Sequence, residues 1–351
     1  MLVSNIQILP LTLIQRERTL PIPGKILVRR GQKVAARDVI AETDLEPKHI
    51  LLNIASSLGV TNREADDLIQ CKENDHLKEG DLIAGPVGLT RKVVRASADG
   101  KVMLVGGGQV LLQLEKEPYQ LRAGLVGIVE RLIPDFGAVV ETAGALIQGV
   151  WGNGKADFGL MQFKLDMPDD ELKTSQIDVS LRGTMVVGGY CNDPTVFQKA
   201  ASVPVKGLIL SSMPANQIKI AKKMDFPVIL LEGFGRLALN KISYNLLKKN
   251  HNCEVSLNAS PLNHNLGRRP EVIIPLPHEK EPALPAIVGE FSVGQQVRVV
   301  RKPHHAKIGT IQYIYYGLVK FPNGVRAPGA QVSFEDGDNV KVPLGNLEVV
   351  I

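Results

Sequence analysis

Short apolar runs separated by glycine turns dominate the first 160 residues. These runs lie at 23–28, 31–34, 39–41, 77–84, 100–105, 127–129, 137–140 and 146–147. Glycine reaches the positive φ angles that tight turns require, so the pattern predicts short strands joined by hairpins. Two stretches, 48–58 and 63–71, instead have helical spacing of their apolar residues. We therefore predict that residues 1–160 form a β-rich domain with a helical insertion.

The pattern changes between residues 176 and 260. Near-continuous apolar runs alternate with amphipathic stretches there, which is typical of parallel strands joined by helices. Strands are predicted at 183–189, 205–210, 226–231 and 254–257, and helices at 194–201, 215–223 and 241–249. This segment is predicted to be a small parallel α/β domain.

The remaining residues form a proline-rich segment and a second strand-rich region. Residues 261–287 are rich in proline and charge, so we expect an extended linker there. Residues 288–351 contain short strands with hairpin turns at Asn323-Gly324 and Asp336-Gly337, which predict a small β-barrel. The predicted fold class is therefore multidomain α+β, with a β-rich domain, a central parallel α/β domain and a C-terminal β-barrel.

Composition narrows the functional classes only slightly. The chain has 351 residues and a formal net charge of +5, which is compatible with a polyanionic partner. Its three cysteines, Cys71, Cys191 and Cys253, are far apart and form no C-x-x-C pair, so a reducing compartment is expected. The N-terminal stretch does not resemble a signal peptide, and no apolar run has the length of a membrane span. We expect a cytoplasmic protein with no membrane partner and an oligomeric state that the sequence leaves open.

One candidate ligand site follows from the predicted central domain. Ligands gather at the carboxyl ends of strands in open α/β sheets, where glycines allow close approach and hydroxyls or arginine hold anions. The residues at these ends are Gly188, Gly189, Asp193, Ser211, Ser212, Glu232, Gly233, Gly235 and Arg236. They favour an enzyme or regulator that binds a small anionic ligand. No nucleotide-binding glycine motif and no metal-binding histidine spacing is present, so we assign no catalytic residue, cofactor or metal.

The N-terminal segment resembles a known fold. The stretches GKILVRRGQKVAARDVIAE and ASADGKVMLVGGGQVLLQ are similar to the barrel-sandwich hybrid fold of biotinyl and lipoyl carrier domains. That resemblance implies a barrel-sandwich-like N-terminal domain and leaves open a carrier-like or complex-assembly subunit. Lys101 occupies a position where such domains have an ordinary strand residue, so no attached cofactor is expected.

The C-terminal segment resembles a second family. Residues 297–311 are similar to the KOW motif of SH3-like barrels in NusG-type transcription factors and ribosomal proteins. The resemblance implies contact with RNA, or with a protein of a transcription or translation assembly. The candidate contacts are Arg298, Arg301, Lys302, His304, His305 and Lys307, with Tyr313, Tyr315 and Tyr316 able to stack on bases.

Acidic residues leave the partner of this segment open. Glu335, Asp336 and Asp338 lie on a later hairpin and weaken the positive field, so a protein partner is as compatible as RNA. The leading hypothesis is a non-enzymatic binding or assembly protein. The alternative is the small-anion site of the central segment.

Overall fold

Strands make up most of the regular structure. The computed structural model describes residues 5–45, 48–88, 91–114, 118–263, 268–277, 282–285 and 290–350. Strands account for 48% and helices for 14% of the structure. None of the helices in these ranges is both long and apolar enough to cross a lipid bilayer.

The first half of the chain contains fourteen of the described strands and two short helices. The strands are β1 (Asn5–Ile6), β2 (Ile8–Thr19), β3 (Lys25–Ile26), β4 (Lys33–Val34), β5 (Val39–Thr43), β6 (His49–Asn53), β7 (His76–Leu77), β8 (Leu82–Val87), β9 (Lys92–Arg95), β10 (Gly100–Gly106), β11 (Gln109–Leu114), β12 (Tyr119–Arg122), β13 (Gly127–Ile133) and β14 (Gly137–Gln148). The helices are α1 (Ile54–Leu58) and α2 (Asn62–Leu68).

The predicted helical insertion exists but begins later than expected. Residues 49–53 form strand β6, with every second residue exposed, and α1 starts only after Asn53. The Asn53 side chain accepts a hydrogen bond from the Ser56 N–H, and Thr61 caps α2 in a capping box with Glu64. These caps satisfy N–H groups that helix starts leave without partners. Lys101 lies in strand β10, paired with β11.

The second half contains the remaining described elements. The strands are β15 (Trp151–Gly152), β16 (Ala156–Phe163), β17 (Thr184–Tyr190), β18 (Gly207–Met213), β19 (Val228–Phe234), β20 (Glu254–Asn258), β21 (Glu271–Pro275), β22 (Gln296–Val299), β23 (Ile308–Lys320), β24 (Arg326–Phe334), β25 (Asn339–Pro343) and β26 (Leu347–Val350). The helices are α3 (Thr195–Ser202), α4 (Ile218–Lys222) and α5 (Lys241–Lys249). Short 3₁₀ turns lie at Thr174–Gln176, Val179–Leu181, Ala215–Gln217 and Leu344–Asn346.

The predicted fold class is wrong, because the described residues form no separate parallel α/β domain. Strands β16, β17, β18 and β19 do pair in parallel, but they belong to one eleven-stranded mixed sheet. Strand β20 pairs antiparallel with β16, and β21, β14, β13 and β4 continue the sheet beyond it. Strand β2 also pairs with β14. The molecule is therefore mostly β, with several sheets.

This sheet runs through the segments that the sequence separates. It takes strands from residues 1–160 and from 176–260, while the domain boundaries themselves stay a prediction. The predicted linker 261–287 lies partly outside the described residues. Its middle is strand β21, which is almost wholly buried between β14 and β20. Apolar clusters cover both faces of the sheet, one with Phe197 of α3 and the other with Leu247 of α5.

The C-terminal strands form a six-stranded sheet, which we call the C-terminal sheet. Its order is β1-β26-β22-β23-β24-β25. Strand β1, from the start of the chain, pairs in parallel with β26, so that Ile6 lies beside Val350. Both residues also belong to the apolar cluster of the eleven-stranded sheet. The two sheets therefore share a buried contact, and the strand ends β17–β19 lie near the C-terminal sheet.

Candidate functional site

Gly188 and Gly189, at the end of β17, lie under a crossing segment of the chain. A Cβ at Gly188 would meet Leu172 Cδ2 at 2.7 Å, and one at Gly189 would overlap the carbonyl oxygen of Asp170. The Tyr190 N–H donates to that carbonyl at 3.0 Å, which fixes the segment in place. Both glycines therefore admit a neighbouring piece of chain, and their backbone is not open to a ligand.

The serines at the end of β18 anchor a loop. Ser211 and Ser212 are fully buried, and both hydroxyls donate to the carbonyl oxygen of Leu237 at 2.9 Å. The Ser212 hydroxyl also accepts from the Leu237 N–H at 3.0 Å. These bonds use the polar groups that the sequence assigns to an anion, and they hold the 233–239 loop against the sheet.

Asp193 fixes the beginning of α3. Its carboxylate accepts from the Thr195 hydroxyl at 2.6 Å, from the Thr195 N–H at 2.9 Å and from the Thr174 hydroxyl at 2.9 Å. These hydrogen bonds to Thr195 and Thr174 hold the pKa of Asp193 below its ordinary value. The Asp193 carboxylate therefore already has three donors within the chain, and it ties the start of α3 to Thr174.

The loop after β19 contacts the C-terminal sheet. Gly233 and Gly235 have φ angles of +131° and +104°, a conformation that L side chains rarely adopt. The imidazole of His305 lies over Gly233, where a Cβ would approach its Cε1 to 3.4 Å. Arg236 is exposed, with its guanidinium 5.8 Å from the centre of the Tyr190 ring. The structure therefore brings together two groups of residues that the sequence assigns to separate sites.

Glu232 is the most deeply buried acid at this junction. Glu232 is only 2% exposed. Its Oε1 accepts hydrogen bonds from the Asn240 N–H at 3.0 Å and from the Asn240 side-chain amide at 2.5 Å. Its Oε2 lies 3.7 Å from Arg298 Nη1 and makes no hydrogen bond to the described residues. Burial raises the pKa of Glu232, and Arg298 and Asn240 oppose that rise only in part.

Arg298 joins Glu232 to the C-terminal sheet. It is 3% exposed, and it donates from Nη1 to the Leu231 carbonyl at 3.1 Å and from Nη2 to Glu348 at 2.8 Å. Glu348 also binds Arg269 at 2.7 Å. We call Glu232, Arg298, Glu348 and Arg269 the arginine–glutamate network. Arg298 is among the predicted partner contacts, but its burial in this network makes it inaccessible to an outside partner.

Glu348 is ionised within this network. Burial is the strongest single influence on its pKa and raises it, but the charges of Arg298 and Arg269 and their hydrogen bonds to Glu348 together outweigh burial and hold the pKa below its ordinary value. Arg298 and Glu348 lie directly opposite each other on β22 and β26. The network is therefore a buried cross-strand ion pair that reaches the eleven-stranded sheet through Glu232 and Arg269.

The other predicted contacts of the basic loop have different environments. Arg301 and Lys302 are exposed. His304 stacks on the Phe334 ring at 5.3 Å between centroids, and Lys307 pairs with Asp336 at 2.5 Å. Burial lowers the pKa of His305, and the charges of Arg298 and Lys302 lower it further. Only Arg301 and Lys302, of the six, are exposed cations without a carboxylate partner among the described residues.

A second surface of the C-terminal sheet carries two tyrosines beside a lysine and a glutamine. Tyr313 and Tyr315 meet edge to face at 5.0 Å, and Lys341 lies 4.8 Å from the centre of the Tyr315 ring. The Tyr315 hydroxyl donates to the Gln331 side-chain oxygen at 3.1 Å. Tyr313, Gln331 and Lys341 are side by side on β23, β24 and β25. We call Tyr313, Tyr315, Gln331 and Lys341 the tyrosine face.

The end of the β23–β24 hairpin extends this surface. Tyr316 is 97% exposed, and Lys320 faces Arg326 across the two strands. Neither cation forms an ion pair within the part of the chain that the structure describes. Sequence reasoning identified the tyrosines but missed Lys320, Arg326 and Lys341. Their positions beside the Asn323-Gly324 turn and in the alternating strand β25 could have indicated them.

Comparison with known proteins adds no identification. The chain matches no protein-family model, and no curated protein is significantly similar to it in sequence.

Proposed function

We propose that this protein is a non-enzymatic binding protein that holds single-stranded RNA on the tyrosine face of its C-terminal sheet. The observation that carries the proposal is the exposure of Tyr313 on this face, at 53%, and of Tyr316 at the end of the hairpin, at 97%, together with exposed cations that form no ion pair with the described residues. Large exposed apolar side chains indicate an interaction site when they are grouped, as Tyr313, Tyr316, Leu318 and Val325 are on this hairpin. The KOW resemblance of residues 297–311 points to the same class of ligand.

Stacking supplies the sequence-independent part of the affinity. A base stacked on an aromatic side chain contributes about 1–3 kcal/mol, and every base offers a ring face. Tyr313 is held at a fixed angle by its contact with Tyr315, and Tyr315 is itself fixed by Gln331 and Lys341. An aromatic platform that is already ordered loses little entropy when a base binds it.

Electrostatics supplies the second part. Lys320, Arg326 and Lys341 are exposed and form no ion pair with a described carboxylate, so they are free to neutralise phosphates. The acidic hairpin that weakens the field in the sequence is partly neutralised, because Glu335 pairs with Lys241 of α5 at 2.5 Å and Asp336 pairs with Lys307. Phosphate contacts of this kind make the affinity fall steeply with salt.

A protein partner is the second candidate, and one observation favours it. Leu318 is 70% exposed and Val325 is 51% exposed at the end of the same hairpin. Apolar side chains of this size, grouped with Tyr316, are suited to the centre of a protein interface. The small-anion site predicted at the strand ends has less support, because Ser212 and Glu232 already bind groups within the chain.

The experiment is fluorescence anisotropy with a short labelled oligouridine, measured over a series of salt concentrations. Tyr313→Ala and Tyr316→Ala should each weaken binding about 5- to 150-fold, the loss of one stacked base. Tyr119→Ala is the matched control, because Tyr119 is an exposed tyrosine on β12, in another sheet, and its loss should leave affinity unchanged.

A charge variant tests the electrostatic part separately. Lys320→Gln combined with Arg326→Gln should reduce the slope of log affinity against log salt by about 1.4, because each of the two lost phosphate contacts to a single strand contributes about 0.7. Absence of binding at low salt, or equal affinity of the tyrosine variants and the wild type, would overturn the RNA proposal. Nuclease-resistant capture of a protein that is lost in Leu318→Asp would favour the protein partner instead.

A further inference from the structure

A polar cleft lies where the N-terminal strands β2 and β12 meet strands β16 and β20 of the eleven-stranded sheet. None of its lining residues belongs to the tyrosine face. Its volume is about 350 Å³. It is lined by cations of β2, β12 and the loop before β18, together with polar groups of β16 and β20, namely Arg18, Arg122, Lys206, Asp157, Ser256 and Asn258. Three cations and one carboxylate give this cleft a positive balance.

Arg18 differs from its neighbour on the same face of β2. Residues 12, 14, 16 and 18 of this strand are buried or half-buried, while residues 15, 17 and 19 are exposed. Arg16 binds the buried Glu271 through Nε at 2.6 Å and through Nη2 at 2.5 Å. Arg18, two residues further, has no carboxylate partner among the described residues. Within the described residues, the charge of Arg16 is therefore balanced by Glu271, whereas the charge of Arg18 is balanced by no carboxylate.

The backbone beside Arg18 is shaped to receive its guanidinium. Gly124 has a φ of +74°, and a Cβ there would lie 3.1 Å from Arg18 Cζ and from Nη2. The Arg18 Nε donates to the Arg122 carbonyl at 3.3 Å, which orients the group. Its two Nη nitrogens donate to no described acceptor. Burial lowers the pKa of Arg18, as expected for a cation removed from water without a carboxylate beside it.

Lys206 is positioned by contacts that only partly compensate its charge. It donates to the Phe158 carbonyl at 3.0 Å, lies 3.7 Å from Asp157 Oδ1 and approaches the Phe158 ring centre to 4.5 Å. Asp157 Oδ1 also accepts from the Phe158 N–H at 2.7 Å. One carboxylate, already bonded to backbone, therefore faces three cations.

We propose that this cleft binds the phosphate group of a small phosphorylated molecule. The free Nη pair of Arg18 offers the forked donor geometry that matches two phosphate oxygens, and Arg122 and Lys206 can balance the second negative charge. The Ser256 and Asn258 side chains offer hydrogen bonds to the rest of the ligand. A volume of about 350 Å³ is at the lower end of small-molecule sites, which favours a sugar phosphate over a polymer.

The test is calorimetric titration of the full-length protein with inorganic phosphate, ribose 5-phosphate and succinate at millimolar concentration. We expect saturable binding of both phosphates and none of succinate. Arg18→Gln should weaken phosphate binding about 10- to 150-fold, the loss of charge-assisted hydrogen bonds. Arg63→Gln, which removes an exposed arginine of α2, is the matched control and should bind as the wild type does.

Two further measurements keep the outcomes distinct. Arg122→Gln removes an exposed cation and should fold normally, so a loss of phosphate binding in that variant supports the site even if Arg18→Gln is unstable. Oligouridine binding by Arg18→Gln should be unchanged, because no residue of the cleft belongs to the tyrosine face. Failure of the wild type to bind either phosphate, tighter binding of succinate, or equal phosphate affinity in all three variants would overturn the proposal.

Discussion

Removal of the Arg298 guanidinium should lower the free energy of unfolding, because it breaks the ion pairs of Arg298 with Glu232 of the eleven-stranded sheet and with Glu348 of the C-terminal sheet. Arg298→Met keeps the length of the side chain but leaves Glu232 and Glu348 without their shared cation in a buried position. Breaking one partner of a buried pair costs about 3–5 kcal/mol. We expect a loss of about 3 kcal/mol, at the lower end of this range. Glu348 keeps Arg269 as a partner, and Glu232, with its raised pKa, can take up a proton.

The measurement is urea unfolding of wild type and variant, followed by circular dichroism at constant pH. Arg301→Met is the matched control, because Arg301 is exposed three residues further along, and its loss should change stability by no more than about 0.5 kcal/mol. If Arg298→Met costs less than about 1 kcal/mol with an unchanged dependence on urea, the arginine–glutamate network does not hold the C-terminal sheet in place.

Further predictions concern the same junction. The pKa of Glu348 is lowered by folding, so its stabilisation is present above the ordinary value of 4.5 and is lost as pH falls through the lowered pKa. The pKa of Glu232 is raised, so its contribution is present below 4.5 and is lost as pH rises through the raised pKa. Unfolding free energies of Glu348→Gln and Glu232→Gln, subtracted from wild type across this range, should therefore slope in opposite directions; parallel slopes would contradict the assignment. Gly189→Ala should cost about 1–3 kcal/mol in thermal unfolding, because its Cβ would overlap a backbone carbonyl, whereas Gly317→Ala meets open space and should be neutral. Ser212→Ala should cost about 1–3 kcal/mol, because it leaves a loop N–H without its acceptor, and a smaller loss in denaturant unfolding would show that water replaces the hydroxyl.

Local elements of the eleven-stranded sheet could be predicted from the sequence. Helix α5 occupies the predicted residues 241–249, and β17, β18 and β19 lie within a few residues of their predicted positions. Apolar periodicity and helix caps are properties of neighbouring residues, so they are visible in the chain itself. The Asn240 side chain, for example, accepts from the Ser243 N–H at the start of α5.

Strand partners could not be predicted in the same way. Strand β20 has the apolar content of a parallel strand, yet it pairs antiparallel with β16. Strand β21 lies in a proline-rich stretch whose composition indicates a linker, and its partner β14 is more than a hundred residues earlier. Pairing depends on the apolar surfaces of distant segments, which a local pattern does not specify.

The glycines of the candidate site show a different limit. Gly188 and Gly233 both satisfy the requirement for close approach at a strand end. One is approached by Leu172 and the other by His305. A glycine indicates that something comes near the backbone, and the sequence does not distinguish a ligand from another part of the chain. The sequence thus predicts at which glycines another group approaches the backbone, but it does not predict which group that is.

Arg298 shows the same limit for a charged residue, because its sequence pattern predicts exposure and the structure buries it. The segment Val297-Arg298-Val299 alternates like a half-exposed strand, yet all three residues are buried, because Glu348 lies opposite on β26 and Glu232 beneath. Glu348 shows the matching pattern, a carboxylate between apolar residues of a strand, so a complementary buried pair was visible in principle. This pair joins the C-terminal sheet to the eleven-stranded sheet, and the strand register places Tyr313 on the same face of the C-terminal sheet as Arg298. Arg301 and Lys302 of the basic loop, and Tyr313 and Lys341 of the tyrosine face, remain exposed, so these residues, and not Arg298, are the contacts that we propose for a partner.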